Sequence, residues 1–244
     1  MSDLQIDQPS TAGFPVYNTL VKTAYSLIGI YGGTFDPIHY GHLRIAEELV
    51  ENLQLDELHF LPAGQPRLRD QPLASRHQRS VMLTKAIKNN SKFRLDVREV
   101  RESGETYSVE TLKKLNQEYA ERRIAFCFIV GADAFIKLPN WYHWCDLFDL
   151  CHLIVVNRPG FDLIHKQADL PHTLARECRD RWIDQVELLK QRASGFIYCA
   201  ATTPSAISAT VIRHAILTGK SIRYLLPDSV INYIYRYHVY PGEK

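Results

Sequence analysis

Long apolar runs, excess charge of one sign and paired cysteines are all scarce in this sequence of 244 residues. No apolar run approaches the ~18 residues that span a bilayer, so no membrane-spanning helix is expected. The N-terminal stretch lacks the basic start and apolar core of a signal peptide. Lys and Arg number 29 against 27 Asp and Glu, and this formal charge of +2 argues against a dedicated nucleic-acid binder. We therefore expect neither membrane nor nucleic-acid partners.

The cysteines are odd in number and include no C-x-x-C pair, which argues against a disulfide framework and against a structural zinc site. Several lie in apolar runs, where a reduced thiol behaves as a small hydrophobic side chain. We expect buried, reduced thiols in a cytoplasmic protein. The five positions are Cys127, Cys145, Cys151, Cys178 and Cys199.

Apolar, strand-like runs alternate with segments of helical periodicity along most of the chain, which is typical of βαβ units. The pattern predicts an α/β fold with a doubly wound, mostly parallel sheet, helices on both faces and a helical C-terminal part. The most apolar run is expected to be the central strand. Strands are predicted at 26–33, 57–63, 93–100, 123–133 (the most apolar), 152–160 and 195–202, and the first helices at 43–53, 75–89 and 108–119.

A single domain is predicted over residues 25–244. Residues 1–24 are polar with scattered Pro and Gly, which predicts a polar N-terminal arm. The segment at about 161–194 is polar, helix-prone and long for a connector. It is predicted to be a helical insertion rather than a second domain.

The turn after the first predicted strand, G-G-T-F-D-P-I-H-Y-G-H at 32–42, concentrates glycines and histidines just before a helix. In parallel sheets ligands bind at the carboxyl ends of strands, and a helix N-terminus attracts anions. Gly32 and Gly33 allow the backbone to approach a ligand closely. His39 and His42 are placed to donate hydrogen bonds to a phosphate whose charge grows in a transition state.

Other interpretations of this turn compete with a phosphate site. A metal pair at H-x-x-H would need further ligands, and no nearby set of Cys, His or carboxylate side chains supplies them. A serine nucleophile would need a G-x-S-x-G elbow, which the turn lacks. On this motif alone, the interpretation that the two histidines are ordinary loop residues without a function stays open.

A second turn near the C-terminus, I-S-A-T-V-I-R at 207–213, follows the last predicted strand and opens a helix. Ser208 and Thr210 place hydroxyls at the helix N-terminus, and Arg213 adds a guanidinium about one turn later. Such a set can grip the phosphates of a nucleotide. The alternative is an ordinary helix start with a solvated arginine. We expect the two turns to converge on one triphosphate.

Together, G-G-T-F-D-P-x-H-x-G-H and I-S-x-T-x-x-R resemble the signatures of the HIGH-type nucleotidyltransferase superfamily, which has a Rossmann-like fold. The fuller pattern resembles the bacterial nicotinate-nucleotide adenylyltransferases over about 27–240. Its further segments are T-Y-S at 106–108, V-G-A-D at 130–133, N-W-Y at 140–142 and V-N-R-P-G at 156–160. The resemblance implies transfer of AMP from ATP to nicotinate mononucleotide, giving deamido-NAD and pyrophosphate in NAD biosynthesis, with Mg²⁺ assisting.

The resemblance also implies a role for each matching residue. His39 and His42 would be the catalytic pair on the ATP phosphates. Trp141 would stack on the pyridine ring, while the backbone near Tyr142 and Ser108 would hold its carboxylate. No protein metal ligand is implied. The implied ATP-binding residues are Gly32, Gly33, Thr34, Phe35, Gly131, Asp133, Ser208, Thr210 and Arg213, and the implied mononucleotide-binding residues are Thr34, Tyr107, Ser108, Trp141, Tyr142 and Arg158.

One loop departs from the family pattern. Family members often carry P-P-H-(K/R) after the second strand, whereas this chain has Q-P-R-L-R at 65–69. Leu68 stands where the histidine would be, so the phosphate contact of this loop depends on whether Arg67 or Arg69 takes its place.

Two alternatives to this enzyme remain. An enzyme of the same chemistry could take another acceptor such as nicotinamide mononucleotide, since a ring carboxylate needs only backbone N–H donors. A non-catalytic nucleotide-sensing module could keep the ATP site, although a sensor has no need of the His39–His42 pair. Trp141 and Asp133 also have structural interpretations, as a half-buried aromatic residue and an Asx-turn residue.

Overall fold

A seven-stranded sheet forms the centre of the protein in a computed structural model that describes residues 24–65, 71–157 and 170–240. The strand order is β3-β2-β1-β4-β5-β7-β6, and every pairing between neighbours is parallel. The predicted α/β fold with a doubly wound parallel sheet is therefore confirmed. The strands are β1 (Ser26–Gly33), β2 (Glu57–Pro62), β3 (Phe93–Leu95), β4 (Ile124–Gly131), β5 (His152–Val156), β6 (Trp182–Ile183) and β7 (Ile197–Ala200).

Helices cover both faces of the sheet, as parallel connections require. Within the described ranges they are α1 (Tyr40–Asn52), α2 (Arg76–Ile87), α3 (Arg98–Arg101), α4 (Ser108–Glu118), α5 (Ala132–Phe135), α6 (Leu147–Leu150), α7 (His172–Cys178), α8 (Ala209–Leu217) and α9 (Asp228–Arg236). The last two confirm the predicted helical C-terminal part. Short 3₁₀ helices occupy Leu138–Asn140, Trp144–Asp146 and Val186–Gln191.

Strand β4 lies at the centre of the sheet, as its apolar sequence predicted. Its side chains alternate between two separate hydrophobic cores, because successive residues of a strand point to opposite faces. Cys127 packs into the core beneath α1, α2, α8 and α9, whereas Phe126 and Phe128 pack into the core beneath α4, α5, α6 and α7. A strand that is buried on both faces needs no polar alternation, and this accounts for the continuous run of apolar residues.

The third predicted strand is shorter than expected. The prediction covered 93–100, but β3 ends at Leu95 and the residues from Arg98 onward form the short helix α3. A side-chain carboxylate causes the change of direction: Asp96 Oδ1 accepts a hydrogen bond from the Arg98 backbone N–H at 3.0 Å. Such an Asx-type turn competes with strand pairing, and the alternating pattern alone does not reveal it.

The predicted helical insertion is described only over 170–194, and this part is not entirely helical. It contains α7 and a 3₁₀ helix, but also β6, which pairs in parallel with β7 at the edge of the sheet. The two-residue strand was not predicted, since so short a segment has no period to detect. The proposed arm over 1–24 lies outside the described residues except for its last member.

All five cysteines are free. Cys127, Cys151 and Cys178 are buried, whereas Cys145 is exposed. Burial raises the pKa of the Cys127 thiol to about 12, so this group stays protonated and packs as an apolar side chain. Of the helices in the described part of the chain, none combines the length and apolar character needed to cross a bilayer.

Candidate active site

The sheet reverses its strand order between β1 and β4, and a crevice opens at their carboxyl ends. From β1 the chain continues outward through β2 and β3, whereas from β4 it continues to the other side. A cavity of about 1140 Å³ lies at this position. Its walls include the turn between β1 and α1 and the segment between β7 and α8, so the two motifs meet in one cavity.

Every predicted site residue within the described ranges lines this cavity. Arg158 and residues 66–69 lie outside those ranges. Residues from the two distant motifs, such as His39 and Arg213, therefore line the same cavity, while their individual roles remain predictions. The lining residues among those predicted are Gly32, Gly33, Thr34, Phe35, His39, His42, Tyr107, Ser108, Gly131, Asp133, Trp141, Tyr142, Ser208, Thr210 and Arg213.

The two histidines form a stacked pair at the start of α1. His39 is the N-cap residue, and His42 lies within the first turn of the helix. Their ring centroids are 3.7 Å apart with 25° between the planes. Gly41 makes this stack possible, because a Cβ at that position would approach His39 Nδ1 to 3.0 Å. The pair thus places two imidazoles at the positive end of the α1 helix dipole, which favours an anion.

Phe35 organises the turn from beneath. Its ring is 2% exposed and lies edge-on to His42 at 5.0 Å, which supports the histidine stack from the core side. A Cβ on Gly33 would come within 2.8 Å of the Phe35 ring, so this glycine is needed for packing as well as for ligand access. Because so little of Phe35 is exposed, we expect it to support the turn rather than to offer a large contact surface to a ligand.

Asp36, which was not among the predicted site residues, connects both motifs. Its buried carboxylate accepts hydrogen bonds from the backbone N–H of Leu73 at 2.8 Å and of Ala74 at 3.1 Å, and from the Tyr240 hydroxyl at 2.7 Å. Arg213 Nη1 donates to the Asp36 backbone oxygen at 2.6 Å. Burial, followed by the charge of Asp36, raises the pKa of Tyr240. The signal that could have identified Asp36 is the presence of an acidic residue in a turn that is predicted to bind anions.

A second missed carboxylate joins α1 to the segment before α8. Glu48 is 6% exposed and accepts hydrogen bonds from Thr203 N at 2.7 Å, Thr203 Oγ1 at 2.6 Å and Arg44 Nε at 2.7 Å. Burial alone would raise the pKa of Glu48, but these donors together hold it below its ordinary value. Thr203 lines the cavity, so these bonds connect α1 to the segment that leads into the second motif.

Aromatic side chains form the opposite part of the cavity wall. The ring centroids of Tyr107 and Tyr142 lie 4.5 Å apart, and Trp141 is half-buried, nearly perpendicular to the Phe128 ring at 6.4 Å. Ser108 begins α4, whose first-turn N–H groups and positive dipole end favour an anion. This wall therefore offers an aromatic surface beside an anion-binding helix start.

Glu99 holds that helix start in place from α3. Its carboxylate is 7% exposed and accepts hydrogen bonds from Thr106 Oγ1 at 3.1 Å and Thr111 Oγ1 at 2.8 Å. Burial raises the pKa of Glu99 despite these donors. Glu99 lies seven positions before Thr106 in the sequence, and its charged character gave no local indication of burial.

The described residues contain no group of three or more His, Cys, Asp or Glu side chains that could hold a metal ion. The carboxylate of Asp36 is occupied by its own donors, whereas Asp133 lines the cavity at the first turn of α5. Lys137 and Arg213 also line the cavity and add positive charge. The site therefore suits a ligand that brings its own negative charge.

The cytidylyltransferase-like family model matches residues 30–215. Two relatives named "Probable nicotinate-nucleotide adenylyltransferase" match almost end to end. That of Dechloromonas aromatica is 44% identical over 87% of this chain and 97% of its own, and that of Methylococcus capsulatus is 42% identical over 88% and 99%. The chain belongs to the nicotinate-nucleotide adenylyltransferase family.

A solved structure of another protein has the same fold as this chain. Plasmodium falciparum nicotinic acid mononucleotide adenylyltransferase complexed with NaAD superimposes with a TM-score of 0.66 and 21% identity. The match covers 90% of this chain and 99% of that one. At this identity the likeness concerns the architecture, and it supports the Rossmann-like assignment.

Proposed function

We propose that this adenylyltransferase transfers AMP from ATP to nicotinate mononucleotide, producing deamido-NAD and pyrophosphate in NAD biosynthesis. One observation carries the proposal: the two motifs, from opposite ends of the chain, and an aromatic wall share a single cavity. Membership of the nicotinate-nucleotide adenylyltransferase family supports the same reaction.

The chemistry needs positioning and charge neutralisation rather than a strong base. The phosphate of nicotinate mononucleotide is already anionic and attacks the α-phosphorus of ATP directly, with pyrophosphate as the leaving group. The stacked pair His39 and His42, next to the N-terminus of α1, would donate hydrogen bonds to the phosphates as negative charge moves onto the leaving group.

The ATP end would be held at the second motif. Ser208 caps α8, with its Oγ accepting from Val211 N at 3.2 Å, so the helix start is preformed. Arg213 is tied to the first motif through the Asp36 backbone oxygen and has Nη2 within 3.5 Å of Thr210 Oγ1. A guanidinium held in this way would meet phosphate oxygens at little further entropic cost.

The adenosine and mononucleotide parts would lie on either side of β4. Gly131 and Asp133, at its carboxyl end, would face the ribose or adenine. Trp141 would stack on the pyridine ring, and the N–H groups at the start of α4 near Ser108 would bind the carboxylate. Tyr107 and Tyr142 would close the aromatic side of this subsite.

We propose that Mg²⁺ enters with ATP. Mg²⁺ in nucleotide sites is bound largely by substrate phosphates and one or two carboxylates, which fits a cavity with Asp133 in its wall and no preformed cage among the described residues. Bound there, the ion would neutralise phosphate charge. The expected partners are these small-molecule substrates, and the five free thiols agree with a reducing compartment such as the cytoplasm.

A pyrophosphate-release assay with ATP and a panel of acceptors tests the proposal. We expect turnover with nicotinate mononucleotide well above that with nicotinamide mononucleotide, because only the acid carries a charge for the α4 N-terminus. Equal kcat/KM values for the two acceptors would refute the preference for the acid. ATP binding without pyrophosphate release from any acceptor would instead indicate a nucleotide sensor.

A further inference from the structure

Arg79 in α2 is 1% exposed and is the bulkiest of the fully buried side chains. A buried charge is costly unless it is paired. The guanidinium nevertheless makes its hydrogen bonds to backbone carbonyls: Nη1 donates to Thr34 O at 2.8 Å, and Nη2 donates to Ala63 O at 2.7 Å and Gly64 O at 3.2 Å. Burial lowers the pKa of Arg79, although the charge of Asp36 opposes this shift. The carbonyls that the guanidinium holds show what this arrangement does.

The three carbonyls belong to the loops that leave the carboxyl ends of β1 and β2. These loops are already adjacent, since Ala63 N donates to Gly33 O at 2.9 Å. One planar guanidinium spans both of them, which the single ammonium of a lysine cannot do with the same geometry. Thr34 and Ala63 line the cavity, whereas Arg79 lies behind them and does not.

Holding a carbonyl fixes the amide on the other side of the peptide bond, because C=O and N–H of a trans peptide point in opposite directions. The Ala63–Gly64 peptide illustrates this: its oxygen faces Arg79, while Gly64 N–H donates to the carboxylate of Glu99, which lines the cavity. By the same geometry, the Thr34–Phe35 peptide directs its N–H away from Arg79, and Thr34 and Phe35 both line the cavity.

We propose that Arg79 is a positioning residue, which orients the Thr34–Phe35 peptide so that its N–H binds a phosphate oxygen of the substrates. The inference rests on the proposed adenylyl transfer. Arg79 itself touches no substrate; it holds a donor in place before the phosphate arrives. In a reaction that depends on alignment, a displacement of about 1 Å at such a donor costs up to ~10²-fold in rate.

Arg79→Lys tests whether the guanidinium geometry matters, because lysine keeps the positive charge but lacks the planar group that spans both loops. We expect kcat for pyrophosphate release to fall about 10- to 100-fold. Binding of inorganic pyrophosphate, measured by titration calorimetry, should weaken about 10-fold, and this readout does not depend on turnover. Met82→Ala is the matched control, since Met82 is fully buried in the same helix and belongs to the hydrophobic core. It should lower Tm while leaving kcat within about threefold.

The outcomes separate the two proposals. An inactive wild-type protein would refute the adenylyl transfer, and pyrophosphate binding would then still report on Arg79. If Arg79→Lys left both kcat and pyrophosphate binding unchanged, or if Met82→Ala lost as much kcat for the same loss of Tm, the positioning role would be wrong. If the lysine variant does not fold, Arg79→Gln is measured in the same two assays. Failure of both to fold, while Met82→Ala folds, would also contradict the proposal, because Arg79 would then be needed for stability first.

Discussion

His152 provides a prediction about stability that the structure allows to be worked out in magnitude. The ring is 0% exposed, accepts a hydrogen bond from Phe196 N at Nδ1 (3.1 Å), and donates from Nε2 to the backbone oxygens of Leu189 (3.1 Å) and Arg192 (3.0 Å). These partners suit only the neutral ring protonated at Nε2, since a second proton at Nδ1 would face the Phe196 N–H. Burial therefore lowers the pKa of His152 from 6.5 to about 4.

The direction of the effect follows from proton linkage. Below pH 6.5 His152 is protonated in the unfolded chain, whereas in the folded protein it stays neutral until the pH approaches 4. The stabilisation is thus complete above pH 6.5, falls by about 1.4 kcal/mol per pH unit below it, and amounts to about 3 kcal/mol in all. The loss should end near pH 4.

Urea unfolding at a series of pH values checks this, with His152→Gln as the comparison. Glutamine offers a donating NH₂ group and an accepting oxygen but does not titrate. We expect the variant to be less stable at pH 7.5, and to lose about 3 kcal/mol less than the wild type between pH 6.5 and pH 4. Parallel pH profiles for the two proteins would show that His152 is not held neutral, and the reasoning would fail.

Three further predictions concern the site. Replacing His39 with Ala should lower kcat about 10²- to 10³-fold with little change in substrate affinity, and unchanged turnover would remove it from the mechanism. Replacing Trp141 with Ala should raise the KM for the mononucleotide more than that for ATP; the reverse order would place the ring against ATP. A double-mutant cycle of Glu48→Gln and Thr203→Val, followed by urea unfolding, should give a coupling of about 1–3 kcal/mol, since the bond is charge-assisted. Additive effects would contradict a net stabilising bond between the Glu48 and Thr203 side chains.

The local parts of this fold could be predicted because their causes are local. The continuous apolar run at β4 and the stripe of α1 follow from burial on two faces and on one face, and burial shows directly in residue order. The two motifs were recognisable for the same reason, since Gly33 and Ser208 meet the demands of a tight turn and a helix cap within a few residues. Their meeting in one cavity was expected from parallel topology.

The buried charged residues that support the site could not be predicted from the sequence, because their partners lie far away along the chain. Asp36 is held by Tyr240, 204 positions away, and Glu48 by Thr203, 155 positions away. Nothing in the residues around Arg79 shows that its guanidinium is buried under Thr34. Residue order predicted most of the strands and helices and the two turns that line the cavity. Only tertiary packing decided which charged side chains lie inside, since the energy of a buried charge depends on the donors and acceptors that the whole fold brings to it.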